Sequence, residues 1–220
     1  MKRVTLTLAF ALLIAPMLAQ ADAPPLSPMP SDAEMPFVRK ATTDLQKLYP
    51  TAKDAEAAGY QRYTNEDKTG AISYADGNWT SSDADHPSQL WYDAGGRLLG
   101  ADYSVPLSAA PPVLFGIDPA RWITFHAHVH YGLVGPGGTT IYGGTGGAHF
   151  TSAGGSISAP TADQLVAANV AKSASDVRFV FPFPAIWDLE IWILPNPNGA
   201  FAESNPNVHP VVPPKSGMGM

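Results

Sequence analysis

The residues with the clearest chemical potential lie in Phe125-His126-Ala127-His128-Val129-His130-Tyr131, where histidine alternates with apolar side chains. On an extended strand successive side chains point to opposite faces. His126, His128 and His130 therefore share one face, while Phe125, Ala127, Val129 and Tyr131 share the other. Neighbouring imidazoles on such a face lie ~7 Å apart, from which two rings can converge on one ion with bonds of ~2 Å. All three in line span ~14 Å, so a third ligand must come from another element. If Gly135 to Gly138 turns the chain so that Val134 pairs with Thr139, His128 faces Thr145 and His126 faces Gly147. His149 then sits opposite Thr124 on the histidine face. A slip of one residue would move His149 to the other side. Imidazoles without thiolates suit Zn²⁺, Cu²⁺, Ni²⁺ or Fe²⁺. The competing reading is a solvated sheet face or a histidine row at a subunit contact, because no Glu-x-x-His or zincin spacing accompanies the row. The Glu and Pro-x-Gly partners of a cupin are also missing at the expected places.

A second alternating run, Trp187-Asp188-Leu189-Glu190-Ile191-Trp192-Ile193, puts Trp187, Leu189, Ile191 and Ile193 on a buried face and Asp188, Glu190 and Trp192 on the other. Two carboxylates on one strand differ from a glycosidase pair, which flanks its substrate from separate elements. One of the two, with Glu190 the candidate carried forward, can join or orient the histidine cluster as an oxygen partner. The competing reading is again a solvated strand face. No Gly-x-Ser-x-Gly is present, and the glycines from Gly143 to Gly147 lack the Lys-Ser/Thr of a phosphate loop. His209, Met218 and Met220 are a weak soft-metal set at the chain's end.

The elements that must position these groups follow from local patterns. Ser31-Asp32-Ala33-Glu34 has capping-box spacing and opens a helix that Pro50 ends after Tyr49. Thr51 to Ala58 reads as a shorter helix with Gly59 behind it. Gln89 to Ala94 and Arg97 to Val105 flank Gly95-Gly96 as a hairpin. Arg121 to Val134 and Thr139 to Phe150 form a second hairpin candidate. Thr161-Ala162-Asp163-Gln164 caps a helix running to about Ser173. Val177 to Phe183 is a strand that Pro182 confines to an edge or an end, and Ala185 to Leu194 is the strongest strand of all. The fold class expected is α+β: an antiparallel sheet or partly closed β-barrel, with N-terminal helices and one covering helix.

Lys2 and Arg3, the apolar run Val4 to Ala15 and Ala19-Gln20-Ala21 have the form of a signal peptide over 1–21, cut after Ala21. The run falls short of the ~20 residues that span a bilayer, so a periplasmic or secreted protein with no membrane span after cleavage is expected. A proline-rich extended leader follows at 22–33, then a single domain over 34–206 and a flexible tail at 207–220. There is no cysteine, which removes disulfides, thiolate metal sites and c-type haem attachment. Thirteen basic against 19 acidic residues give a net charge of −6, and loss of Lys2 and Arg3 makes it more negative still. Nucleic acid is excluded as a partner on that balance, whereas cations are favoured.

Several blocks carry a resemblance: Ala57-Ala58-Gly59-Tyr60, Pro87 to Tyr92, Gly96 to Tyr103, Pro111 to Gly116, and Trp187 to Pro206 with its Asn-Pro-Asn-Gly-Ala-Phe-Ala. Scattered over about 50–206, they make the chain similar to a family of exported bacterial proteins with a domain of unknown function. The resemblance implies a secreted α+β domain with a central antiparallel sheet, able to self-associate as a homo-oligomer. It brings no activity and no catalytic residue, and Gly135 to Gly155 lies outside it. The functional expectation is a binding protein holding a divalent metal or small ligand at His126, His128, His130, His149 and Glu190. The alternatives are a metal-dependent enzyme using the same histidines, with Glu190 as base, and a self-assembling structural protein.

Overall fold

A computed structural model describes residues 26–211. The signal segment, its cleavage point after Ala21, and Met218 and Met220 lie outside those residues. Two helices come first, α1 (Met35–Leu48) and α2 (Ala52–Ala57). Strands β1 (Gln61–Arg62), β2 (Ile72–Ala75), β3 (Gln89–Tyr92), β4 (Leu98–Pro106), β5 (Ile123–Phe125), β6 (His128–Val134) and β7 (Thr140–Gly146) follow. Helices α3 (Gly147–Ser152) and α4 (Ala162–Ala167) precede β8 (Val177–Phe183) and β9 (Ile186–Trp192). The strands form two antiparallel sheets, ordered β1-β2-β3-β4-β9-β5 and β7-β6-β8, so the fold is α+β and sheet-rich with no closed barrel among the described residues. None of the described helices is long and apolar enough to cross a membrane.

Each sheet buries one face under helices. In the large sheet Leu90, Tyr92, Ala101, Tyr103, Leu189 and Ile191 pack against Phe37, Ala41 and Leu45 of α1. In the small sheet Val129 of β6 packs with Phe150 of α3 and Leu165 of α4, a separate apolar cluster. The opposite faces carry the polar residues and look across a cleft, bridged by the edge-on contacts of Tyr63 with His130 and Phe181. Period-2 alternation thus sorts both sheets into a helix-covered side and a cleft side.

Glu34 fixes the N-terminal end. It is fully buried, accepts from the backbone N–H groups of Ser31 and Asp118, and pairs with Arg121 at 2.7 Å. The Ser31–Glu34 contact forms as the spacing predicts, but the helix itself starts at Met35, three residues beyond the Asp32 that a Ser31 cap would place first. Arg121 also donates to the carbonyls of Ser27 and Met29, and Phe201 N–H donates to Pro28, so the described part of the leader is bound to the domain. At the other end Val208, placed by sequence in the flexible tail, is buried beside Ala71, Leu99 and Trp192.

Three local expectations differ from the structure. The stretch from Arg121 to Val134 is two strands: β5 pairs with β9 in the large sheet, and β6 pairs with β7 and β8 in the small one. The chain changes sheets at His126 and Ala127. The β6–β7 register pairs Val134 with Thr140, one residue away from the expected partner, because Pro136–Gly138 makes a 3-10 turn. Helix α4 has the expected Thr161–Gln164 capping box but stops at Ala167, where Asn169 takes φ +56°. Pro182 lies on an edge strand, as its missing N–H requires.

Candidate metal centre

Strands β4 and β9 supply the acidic side of the cleft. Their register sets Asp102 opposite Glu190 and Ser104 opposite Asp188, so three carboxyl groups project from one patch of sheet. One oxygen from each of Asp102, Asp188 and Glu190 lies within 4.8 Å of the other two. Oxygens on opposite sides of a cation bound at ~2.3–2.6 Å are about as far apart as that limit, so the patch has the dimensions of a metal site. The cleft holding it has a volume of about 490 Å³.

The carboxylates are held by specific neighbours. Asp102, 5% exposed, accepts from Trp91 Nε1 at 2.9 Å through Oδ2, while its buried Oδ1 has no hydrogen-bond partner. Asp188, 1% exposed, accepts from Ser104 Oγ at 2.6 Å, and Ser104 is itself 2.6 Å from Ser88 Oγ. Glu190 is exposed towards solvent. Gly100 lies opposite Trp91, and a Cβ there would collide with the indole ring and with the Ile191 carbonyl. The absence of a side chain lets Trp91 lie down and reach Asp102.

Burial without a countercharge dominates the electrostatics. Asp102 is pushed well above the usual carboxylate range by burial, then by the charges of Asp188 and Glu190. Burial pushes Asp188 up to about 8, with Ser104 opposing and Glu190 adding to the rise. Glu190 is also raised, by desolvation and then by Asp67. Without a cation the two buried members, Asp102 and Asp188, are biased towards their protonated forms. A divalent ion would let the carboxylates ionise, since opposite charge favours the charged form.

The small sheet supplies the other wall. His128 and His130 face the cleft, each flanked by a glycine on β7 (Gly146 and Gly144) and a phenylalanine on β8 (Phe183 and Phe181). His128 stacks on Phe183 with ring centres 4.3 Å apart, and His130 on Phe181 at 5.7 Å. Burial and then His128 lower the His130 imidazole to about 3, so it is neutral in ordinary buffers.

Of the residues singled out from sequence, His128, His130 and Glu190 line this cleft. His126 sits exposed at the switch between sheets and contributes its carbonyl, which contacts His128 Nδ1 at 2.8 Å. His149 is carried by α3, not by a strand, and its Nε2 contacts the Ala168 carbonyl at 3.0 Å. The shifted register and the end of β7 at Gly146 remove it from the histidine face. Sequence reasoning passed over Asp102. Its signal was the alternation Gly100-Asp102-Ser104, which puts two polar side chains on one face of a strand whose other residues are apolar or aromatic. Among the described residues no trio of metal-ligating side chains within that 4.8 Å limit includes a histidine.

No protein-family model, curated protein or solved structure matches the chain. The functional reading therefore stands on the geometry of the cleft.

Proposed function

We propose that the protein binds a divalent metal ion, with Asp102, Asp188 and Glu190 as its oxygen donors. The observation that carries this reading is the convergence of one carboxyl oxygen each from Asp102, Asp188 and Glu190, together with a buried Asp102 Oδ1 that has no hydrogen-bond partner. Buried polar atoms are nearly always satisfied, and an unsatisfied carboxylate oxygen in a group of three carboxyls calls for a cation or a proton. An all-oxygen set suits Mg²⁺, Ca²⁺ or Mn²⁺ better than the Zn²⁺, Cu²⁺, Ni²⁺ or Fe²⁺ that imidazoles favour. The acidic balance of the chain draws such ions in.

Calorimetric titration of chelator-stripped, untagged protein with Mn²⁺ tests the reading. Asp102→Asn keeps the shape and the Trp91 contact while removing the charge. It should weaken Mn²⁺ by more than the roughly 10- to 100-fold that loss of an outer partner costs. Unchanged affinity would refute the assignment of Asp102.

A metal-dependent enzyme is the second reading, favoured by the size of the cleft, which at about 490 Å³ exceeds what an ion and its waters fill. A bound ion with an open position would activate water for hydrolysis. Turnover of chromogenic esters or phosphoesters that requires Mn²⁺ and is lost in Asp102→Asn would favour this second reading over simple binding.

A further inference from the structure

We propose that the cleft carries a second metal position, distinct from the carboxylate patch, in which His128 and His130 hold one borderline divalent ion such as Cu²⁺ through their Nε2 atoms. The proposal is independent of the carboxylate site.

The first support is the tautomer. His128 Nδ1 lies 2.8 Å from the His126 carbonyl, which can only accept, so Nδ1 carries the hydrogen and the Nε2 lone pair is free. The two Nε2 atoms are 2.9 Å apart. Two nitrogens bound side by side to one ion at ~2.0–2.1 Å, at a right angle, are separated by about that distance. The alternative is a hydrogen bond from His130 Nε2–H to His128 Nε2. It would make His130 Nδ1 a lone pair, and that atom is buried with no partner. With Nε2 on a metal, Nδ1 instead carries the ring's hydrogen.

The second support is rigidity. Phe183 and Phe181 stack on the two imidazoles, and Tyr63 closes on His130 from the large sheet at 4.6 Å, so the pair is fixed before any ion arrives. Gly146 and Gly144 beside the pair leave its β7 flank without side chains. Because no close trio of ligating groups includes either histidine, one ion cannot take both imidazoles and a carboxylate at these positions. The remaining coordination sites fall to water or to a small exogenous ligand. A right-angled nitrogen pair with open positions suits the tetragonal preference of Cu²⁺.

The test is electron paramagnetic resonance of stripped, untagged protein loaded with one equivalent of Cu²⁺, alongside Mn²⁺ titration. Wild type should show coupling to two imidazole nitrogens. His128→Ala and His130→Ala should each weaken Cu²⁺ by about tenfold or more and leave Mn²⁺ binding intact. Asp102→Asn should do the reverse, and His126→Ala should change neither. A Cu²⁺ spectrum unaltered in His128→Ala and His130→Ala would overturn the proposal, as would loss of both ions together in Asp102→Asn. If the alanine variants fail to fold, paramagnetic broadening in wild type decides. Selective broadening of the His128 and His130 ring signals supports the site, and broadening confined to His126 and His149 contradicts it.

Discussion

Asp188 and Glu34 are both buried carboxyl groups, yet they push stability in opposite directions with pH. Asp188 has a folded value of about 8 against ~3.9 for a free aspartate. A raised carboxyl favours the folded state below the unfolded value, and that stability is lost as pH rises towards 8. Metal-free protein should therefore weaken between about pH 4 and 8, with a slope of at most ~1.4 kcal/mol per pH unit for this one proton. Asp188→Asn, neutral throughout, should flatten the alkaline side of a urea-denaturation series run with chelator. An unchanged slope would show that Asp188 is ionised in the metal-free fold. At this scale the sequence was legible in part. The alternation of Trp187 to Ile193 assigned Asp188 and Glu190 to one face correctly. Asp102 escaped because its meaning depends on which distant strand lies beside it, and local pattern carries no such information.

The Glu34–Arg121 pair joins the leader, the start of α1 and the turn before β5, and its chemistry belongs to those elements together. Burial alone would raise Glu34, but Arg121 and the backbone donors of Ser31 and Asp118 outweigh it and hold the carboxyl at about 2. Its contribution to stability is present above the free glutamate value of ~4.3 and is lost as pH falls through 2. Arg121→Ala leaves a buried charge and two leader carbonyls without their donor, so chemical denaturation should show a loss of about 3–5 kcal/mol at pH 7. A loss below 1 kcal/mol would mean that water replaces the guanidinium. In β4, Gly100→Ala forces the Trp91 ring aside and should cost about 1–3 kcal/mol while weakening metal binding through Asp102. Strands and caps were readable because they are local: the Thr161–Gln164 box and the edge position of Pro182 follow from two or three residues. The break at His126 was not readable. The run Phe125 to Tyr131 alternates without interruption, and alternation reports the face of a residue, not the sheet its strand joins. The register of β6 on β7 depended on a turn of glycines and proline, which tolerates more than one closure.

Seen whole, the molecule is two sheets, each with one face under helices, with their polar faces turned towards a shared cleft. One wall is carboxylate and the other imidazole. The acidic wall is an energetic cost that a core of this size tolerates only if protons or a cation neutralise it. Metal should then act as a ligand of the folded state alone. At a free concentration of about 100 times Kd it should add ~2.7 kcal/mol, which for a domain of this length raises Tm by about 5–10 °C. Scanning calorimetry with Mn²⁺ and then with excess chelator reads this directly, and a Tm indifferent to both would separate the fold from the ion.

The most direct measurement is equilibrium dialysis of stripped, untagged protein against Mn²⁺, comparing wild type with Asp102→Asn. The account predicts about one Mn²⁺ retained per wild-type chain and almost none on the variant. Retention below about 0.1 per chain in wild type, or equal retention by both proteins, would contradict it.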